Sequence, residues 1–486
     1  MQIAVIGAGI AGLAATKVLT AVGHDVTTFD TEPDIGGVWS PTRHYPGLTT
    51  QNTRMTYEFS DHPAPSDWPD YPSAEQWHSY LRGYVERFGF DGCLRLGTGV
   101  TLAKPTDGGW DLSLDSGEHV ETDHVVVANG VFSRPLIPDW PGLSAHAEAG
   151  GEVKAPSQGL TLDDGRGKHV VVVGYGKSAC DSAMALSTVA SSVTMVPRRL
   201  LWKGPKVLLG KHFEDFAITR LGEVLFARPR TFGPLFSVLS RATVKQQGLA
   251  ALGLIPPGRF EDIVANSASL ATDGFFDAVR SGTIAVLRDR SIVELRGSDG
   301  SDGSDGPDGP DGPDGPRAVL DDGSVLPADL IVAATGFAQN VPFLDPALSA
   351  QNTDGDFELF RNVLPHTIPN LTFAGYNTSL VSSLSAEVGA IWIAAHLAGA
   401  LNLPPLPARQ AQARADLAAR KLRTRGKYAS GTVVLPRSLG NIDAMMRDMH
   451  AVLPRRTRMA QWSRRSYSTD FRETLAAAVR ELSSVR

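Results

Sequence analysis

The stretch MQIAVIGAGIAGLAA, residues 1–15, decides the fold of the first part of the chain. An apolar strand runs into Gly7, Gly9 and Gly12, which have the spacing GxGxxG, and a helical sequence follows. In such a turn the first glycine allows a sharp bend and the second lets a pyrophosphate approach the backbone. The third lets helix and strand pack closely. The stretch therefore predicts a dinucleotide site at the start of a helix, whose N–H groups face the phosphates.

The residues that follow indicate the same kind of ligand. The next strand, HDVTTFD, ends in Asp30, and a carboxylate at that position can bind the ribose hydroxyls of a dinucleotide. The turn GGVW, residues 36–39, comes shortly afterwards. Besides the three glycines, the candidate residues of this first site are Ile10, Ala11, Asp30, Gly37, Val38 and Trp39.

A second stretch, KHVVVVGYGKSACDSA at residues 168–183, repeats the arrangement with the related spacing GxGxxA. The strand after it ends in two arginines instead of an acid, and guanidinium groups pair with a 2′-phosphate that a carboxylate would repel. The second site is therefore predicted to bind NADPH in preference to NADH. Its candidate residues are Gly174, Gly176, Lys177, Ser178, Ala179, Asp181, Arg198 and Arg199.

Composition excludes several classes of protein. The chain has 486 residues, 42% of them hydrophobic, and a net charge of −6, which gives no overall sign of nucleic-acid binding. Its two cysteines, Cys93 and Cys180, lack the spacing of a disulfide framework or a redox dithiol. No apolar run is long enough to span a membrane and no targeting segment is apparent, so we expect a cytoplasmic protein. No metal site is predicted.

Five motifs, in order along the chain, resemble those of class B flavin-dependent monooxygenases, the family of flavin-containing and Baeyer–Villiger monooxygenases. They are GAGIAG, GGVW, QNTRMTYEFSDHPAP, VVGYGKSACDSA and AATGF. The resemblance covers about residues 1–400 and implies FAD at the first site and NADPH at the second. It implies that Asn52 lies at the flavin and contacts both cofactors. Thr53 and, in AATGF, Thr335 and Gly336 are further cofactor-binding candidates.

One part of the chain departs from the family pattern. The family has a histidine in a fingerprint FxGxxxHxxxY before the second glycine turn, whereas Lys154 or Ala155 stands near that place here. The departure weakens assignment to the Baeyer–Villiger or the N-oxidising subgroup, but it leaves both cofactor sites in place.

The expected fold class is α/β, with two Rossmann-like domains and a helical basic extension. Residues 1–150 and 338–400 form the FAD domain, 151–337 the inserted NADPH domain, and 401–486 the extension. Within the insert, the Gly- and Asp-rich repeat 298–316 is expected to be a flexible acidic loop rather than a calcium site. The extension has 17 Lys and Arg against 6 Asp and Glu. We expect it to wrap the acidic body or another subunit of a homo-oligomer; the alternative is a tail that binds nucleic acid or anionic lipid.

Two helices are also expected around the first site. Residues 73–89 have a helical period that begins with a capping box of Ser73 and Gln76. A helix within 386–401 follows the strand in NLTFAGY, and in flavoproteins of this layout such a helix directs its N-terminus at the flavin.

The resemblance also implies the reaction. In the family, NADPH reduces FAD, and the reduced flavin reacts with O₂ to give a C4a-hydroperoxide that transfers one oxygen atom to a small molecule. We expect oxygenation at nitrogen or sulfur, in bacterial specialised metabolism as the Ala-, Arg- and Gly-rich composition suggests. Baeyer–Villiger oxidation of a ketone is the first alternative. A reductase that passes electrons to another acceptor is an alternative of another class, and a non-catalytic flavin-binding regulator is disfavoured by the intact second turn.

Overall fold

The structure is a computed structural model, and it describes residues 1–266, 269–297, 315–424 and 429–484. The repeat predicted to be an acidic loop, 298–316, lies outside the described residues except for its last two positions.

The strands lie between residues 2 and 373. In chain order they are β1 Gln2–Ile6, β2 Asp25–Phe29, β3 Leu94–Arg95, β4 Val100–Pro105, β5 Trp110–Leu114, β6 His119–Thr122, β7 His124–Val127, β8 Arg134–Pro135, β9 Glu152–Lys154, β10 His169–Val173, β11 Ser192–Val196, β12 Val207–Leu208, β13 Lys211–His212, β14 Ile284–Val286, β15 Ile292–Arg296, β16 Arg317–Leu320, β17 Val325–Pro327, β18 Leu330–Ala333, β19 Phe337–Ala338 and β20 Leu371–Phe373.

Helices surround the sheets and make up most of the C-terminal part. They are α1 Ile10–Ala21, α2 Arg54–Tyr57, α3 Ala74–Phe88, α4 Leu143–Glu148, α5 Leu162–Gly165, α6 Lys177–Leu186, α7 Glu214–Ala217, α8 Arg220–Ala227, α9 Gly233–Gln247, α10 Phe275–Arg280, α11 Ser382–Leu397, α12 Leu406–Thr424, α13 Ser438–Asp448, α14 Arg455–Ala460 and α15 Arg472–Ser484.

The first sheet has the strand order β20-β7-β1-β2-β3, and all its pairs are parallel. Its central strands are continuous apolar runs because both faces are covered, as is usual for parallel sheets. Helix α1 connects β1 to β2 and packs against α11. The turn that carries the first glycine motif therefore lies at the carboxyl end of the middle strand.

The second sheet repeats this architecture with the order β14-β11-β10-β18-β9, again all parallel. The chain enters and leaves this part through β8 and β19, which pair antiparallel with each other. The strands of the second sheet lie between residues 152 and 333, inside the range predicted for the inserted domain, whose limits stay a prediction.

The C-terminal helices pack onto the body of the protein. Helices α13 and α15 contact α11, and α15 also contacts α1. The predicted fold class is confirmed: the chain has two parallel α/β sheets and a helical C-terminal extension. None of the helices in the described residues combines the length and apolar character needed to cross a membrane.

Candidate functional site

A cavity of about 720 Å³ lies at the carboxyl ends of the first sheet, where ligands of open α/β sheets bind. Its walls come from the glycine turn after β1, the end of β2, the turn before α2 and the loop before α11. The cavity brings together most of the residues predicted for the first site: Gly7, Gly9, Ile10, Ala11, Asp30, Gly37, Val38 and Trp39.

Glycine occupies each of the three positions of the turn for a different structural reason. Gly7 has φ +115°, and a Cβ there would lie 2.4 Å from the carbonyl oxygen of Ala128. A Cβ on Gly12 would lie 1.8 Å from the carbonyl oxygen of Gly7, so this glycine allows α1 to pack on the strand. A Cβ on Gly9 would have only an ordinary contact, 3.7 Å from Cα of Gly37. Gly9 is therefore dispensable for the fold and lies where a ligand approaches.

The start of α1 is suited to a diphosphate. Gly9 is its N-cap residue and no side chain caps the helix. The first N–H groups of a helix have no partner within the helix, and its dipole favours an anion there. Because Gly9, Ile10 and Ala11 line the cavity, these donors lie at its wall. The residues present therefore fit the diphosphate of a dinucleotide.

Asp30 occupies the position predicted for ribose recognition. Its carboxylate accepts the backbone N–H of Ala8 at 2.6 Å and that of Glu32 at 2.9 Å. Burial raises the pKa of Asp30, and these two backbone hydrogen bonds oppose the rise. An ionised carboxylate has about four acceptor positions, so Asp30 keeps capacity for ribose hydroxyls while it also fixes the turn.

Several residues of the cavity were not predicted from the sequence. Asn129 lies two residues after the end of β7. Its side chain donates to the carbonyl oxygen of Asn340 at 3.0 Å and accepts from the Tyr376 hydroxyl at 2.7 Å. The position of Asn129 after a buried strand beside β1 is the signal that could have indicated it. Others lie in loops without a local motif, among them Arg43, Phe132, Asn340, Asn377 and Thr378, and Ser382 is the first residue of α11.

Asn52 is buried and is not among the residues that line this cavity. Its side-chain amide donates to the carbonyl oxygen of Leu380, in the loop before α11. The backbone carbonyl of Asn52 accepts from the Thr50 hydroxyl at 2.8 Å. The contacts therefore give Asn52 a positioning role for the loop at the start of α11, and its contact with the flavin stays a prediction.

Thr53 also points away from the cavity. Its backbone N–H donates to a carboxylate oxygen of Glu214 at 3.1 Å, and its hydroxyl accepts from the guanidinium of Arg465 at 3.0 Å. Glu214 and Arg465 form an ion pair that is 6% exposed on both sides. Thr53 thus connects the segment before α2 with a buried ion pair, a contact that no sequence motif indicates.

The second glycine turn has the same design as the first. Gly174 has φ +123°, and a Cβ there would lie 2.5 Å from the carbonyl oxygen of Ala334. Gly176 is the N-cap residue of α6, again without a side-chain cap, and a Cβ there would meet nothing within 4 Å. Ala179 is fully buried, as expected for the third position of the motif. The start of α6 is therefore also open to a phosphate.

The other predicted residues of α6 have mixed environments. Lys177 forms an ion pair with Asp181, and burial lowers the pKa of Lys177. Asp181 is buried and also accepts from the hydroxyl of Thr272, and Tyr45 from the first part of the chain donates to it at 3.4 Å. Asp181 therefore connects α6 with the part of the chain that forms the first sheet. Ser178 is half-buried on the first turn of α6.

The remaining candidates lie around the second turn and at the crossover. β11 ends at Val196, and after Pro197 come Arg198 and Arg199, which are exposed, as a contact with a diffusible ligand requires. Thr335 donates to the carbonyl oxygen of Leu136, and Gly336 accepts the backbone N–H of Leu136 at 2.9 Å. Thr335 and Gly336 thus join the segment before β19 to the residue that follows β8. They are not among the residues that line the cavity.

The comparison with protein families gives one match. Residues 1–225 match the model of the FMO-like family, the flavin-binding monooxygenase-like proteins. The predicted resemblance to class B flavin monooxygenases is confirmed. Flavin-containing monooxygenase 1 of the dog, Canis lupus familiaris, is 25% identical over 425 residues, which cover 83% of this chain and 75% of that protein.

Solved structures share the fold along nearly the whole chain. The S-allyl-L-cysteine S-oxygenase of Allium sativum has a TM-score of 0.62 at 19% identity and covers 99% of this chain and 98% of its own. A mutant cyclohexanone monooxygenase from Rhodococcus sp. Phi1, solved bound to NADP⁺, has a TM-score of 0.65 at 19% identity and covers 87% of this chain and 91% of its own. The predicted cofactors, FAD and NADPH, agree with the flavin-binding family and with this NADP⁺-bound neighbour.

Proposed function

We propose that the protein is an FAD- and NADPH-dependent monooxygenase that oxygenates a small molecule at nitrogen or sulfur. The observation that carries the proposal is the pair of uncapped helix starts, at α1 and α6, each behind a glycine turn at the carboxyl end of a parallel sheet. Two dinucleotides are what an enzyme needs if it takes electrons from NADPH and uses them at a bound flavin.

In this proposal the first cavity holds FAD. The start of α1 binds the diphosphate and Asp30 binds the ribose, while Trp39 and Tyr57 give the cavity an aromatic wall that excludes water. Ser382 brings the first turn of α11 to the same cavity, and the positive end of that helix dipole favours negative charge on a bound ring. Bound and reduced FAD would supply the activation of O₂.

The start of α6 binds the diphosphate of NADPH, and Arg198 with Arg199 pair with its 2′-phosphate. Asn52 acts through the loop at the start of α11, which its amide fixes through Leu380. Through this loop Asn52 sets the position of the residues that face the flavin.

The choice of nitrogen or sulfur is supported by the relatives. A rat relative, 25% identical over 438 residues, is a dimethylaniline monooxygenase that forms an N-oxide. The Allium enzyme, which covers nearly the whole chain, is an S-oxygenase. Baeyer–Villiger oxidation is the second candidate, because a cyclohexanone monooxygenase has a similar fold. We also propose cytoplasmic localisation and a role in bacterial specialised metabolism.

The test is product analysis under ¹⁸O₂ with the FAD-loaded enzyme, NADPH and a panel of amines, sulfides and ketones. We expect one labelled oxygen atom in an N-oxide or S-oxide and NADPH use that matches product formation. A labelled ester from a ketone would favour the second candidate. NADPH oxidation with electrons passed to an added acceptor, and no label in any product, would reject a monooxygenase and favour a reductase.

A further inference from the structure

The basic C-terminal extension forms a second cavity together with α8, which the oxygenase proposal does not use. This arginine cleft has a volume of about 570 Å³. Its walls come from α8, α12, α13 and α14 and from Arg361 and Asn362 in the loop between β19 and β20. Among the described residues, eight arginines but only three acids line it, and no lysine does. Five of these arginines belong to the 17 Lys and Arg counted from residue 401 onward, and three come from earlier in the chain.

Two of the eight arginines already have an anionic partner. Arg220 donates to Asp443, one contact being 3.0 Å long, and Arg361 donates to both carboxylate oxygens of Asp448 at 2.7 and 2.9 Å. These pairs hold α13 against α8 and against the body of the protein. Their charges are compensated within the fold.

The other six arginines face the arginine cleft with few counter-charges. Arg458 comes only within 3.9 Å of Asp443, which Arg220 already binds. Arg420 donates to neutral acceptors, the carbonyl oxygen of Gly431 at 2.5 Å and the side chain of Asn362 at 3.3 Å. The six residues are Arg228, Arg420, Arg423, Arg437, Arg447 and Arg458.

The remaining acids compensate this charge only in part. Glu223 accepts backbone N–H groups at the start of α13, that of Gly440 at 3.1 Å, and burial raises the pKa of Glu223 to about 7. At neutral pH it therefore carries less than a full negative charge. Asp416 is exposed on α12. Burial and the charge of Arg437 lower the pKa of Arg423, and the charge of Asp416 opposes this effect only in part.

Such a cleft is complementary to an oxyanion. A guanidinium group presents its N–H donors as a planar fork that matches a carboxylate or phosphate, and a bound anion would offset the repulsion among the arginines. The arginine cleft also lies one layer from the first cavity: Thr378, which lines the first cavity, accepts the backbone N–H of Val434, which lines the cleft, at 3.0 Å.

We propose that the arginine cleft binds a small polyanion, a molecule with two or more phosphate or carboxylate groups. This site is separate from both dinucleotide sites, since its lining residues come from α8 and the arginine that follows it, from Arg361 and Asn362, and from the C-terminal extension. A ligand there contacts Arg423 and Arg437 from α12 and from the start of α13. It holds these helices in place behind the wall of the first cavity.

Calorimetric titration of the FAD-loaded protein, with NADP⁺ at saturation so that both dinucleotide sites are filled, tests the proposal. Inorganic diphosphate and citrate are the probes, at constant ionic strength, and they distinguish phosphate from carboxylate ligands. We expect one equivalent of at least one probe to bind. Because a hydrogen bond to a charged group contributes more than about 1.4 kcal/mol, Arg423→Gln with Arg437→Gln should weaken binding about 100-fold.

The control is Arg241→Gln with Arg480→Gln, which removes the same charge from two exposed positions outside the cleft and should leave binding unchanged. The shift of the thermal midpoint on addition of the probe is a second measurement, and it can be compared between variants of different stability. The probe should raise the midpoint of the wild type and of the control, but not that of the cleft variant. Absence of binding by the wild type would overturn the proposal. Equal binding by the cleft variant would do so as well.

Discussion

At the residue scale, two glycines of the same turn have different roles: Gly9 is needed to bind the cofactor and Gly12 is needed for the fold. Gly9→Ala places a methyl group at the cavity wall with only an ordinary contact to Gly37, so we expect the fold to be kept. The affinity for FAD should fall at least ~10-fold, because the diphosphate can no longer approach the backbone. Gly12→Ala would place its methyl group 1.8 Å from a carbonyl oxygen, and we expect it to prevent folding. Flavin content and circular dichroism of the two variants measure this. Full FAD occupancy in Gly9→Ala would contradict the placement of the diphosphate.

A second prediction at this scale concerns the choice of nicotinamide cofactor. Arg198→Ala with Arg199→Ala removes the two exposed guanidinium groups after β11, so KM for NADPH should rise ~10- to 100-fold while KM for NADH is unchanged. Steady-state oxidation of both cofactors checks it, with the exposed pair Arg241→Ala and Arg480→Ala as a charge-matched control. If the preference for NADPH survives, other residues recognise the 2′-phosphate.

The sequence was a good guide to residues whose role is set by the backbone. The glycines and Asp30 were predicted because a sharp turn and a strand end impose the same residue types wherever they occur. Asn129 and Thr378 were not, because loops far apart in the sequence bring them to the cavity. Asn52 and Thr53 were predicted by resemblance, yet their side chains bind Leu380 and Glu214, partners 328 and 161 positions away that no local pattern encodes.

At the element scale, the buried ion pair of Glu214 and Arg465 should be the most sensitive contact of the extension. Arg465→Ala leaves the Glu214 carboxylate buried without its cation, which typically costs about 3–5 kcal/mol. Arg465→Met combined with Glu214→Gln removes both charges and should recover part of the loss. The exposed pair of Arg166 and Asp163 is the matched control, where Arg166→Ala should cost less than about 1 kcal/mol. Urea denaturation of the wild type and the three variants measures the losses, and equal losses at the two sites would contradict the prediction.

The contact between α8 and α13 predicts a pH dependence. The pKa of Glu223 is raised to about 7, above its value of 4.5 in an unfolded chain, so the folded protein retains a proton that the unfolded chain releases. The contribution of Glu223 to the free energy of unfolding is therefore complete below pH 4.5. It is lost as the pH rises to about 7, and the loss is up to about 3 kcal/mol. Glu223→Gln should flatten the fall of the thermal midpoint over this range, whereas the exposed Glu481→Gln should not. Parallel profiles for wild type and Glu223→Gln would contradict it.

The helices show where sequence patterns suffice at this scale. The capping box of Ser73 and Gln76 was predicted and is present at the start of α3, because both its hydrogen bonds are local. Helix α11 was predicted within 386–401 but begins at Ser382. The first turn of α11 is rich in serine, a composition that suggests a loop. The helix is also buried on all sides, so no amphipathic period marks where it begins.

At the scale of the whole molecule, the extension is part of the fold rather than an appendage. Most of α11 is buried, and α13 and α15 supply much of its cover. A chain that ends at residue 400 would expose this apolar surface, so we expect it to be insoluble or aggregated. Size-exclusion chromatography measures this, and a chain that ends at residue 484 is the control, expected to behave as the full protein. A soluble, FAD-binding product from the short chain would contradict the prediction.

The guanidinium of Arg472 donates to the carbonyl oxygen of Ser60 at 2.7 Å, and Arg465 reaches Thr53, so the first and last parts of the chain meet beside the segment 53–60. During synthesis on the ribosome the amino-terminal sheet emerges long before its closing partners. The cofactor pocket can therefore reach its final form only after release of the complete polypeptide. Flavin capture in the cell should accordingly be a post-translational event, and a bulky fusion at the carboxyl terminus should delay it more than one at the amino terminus.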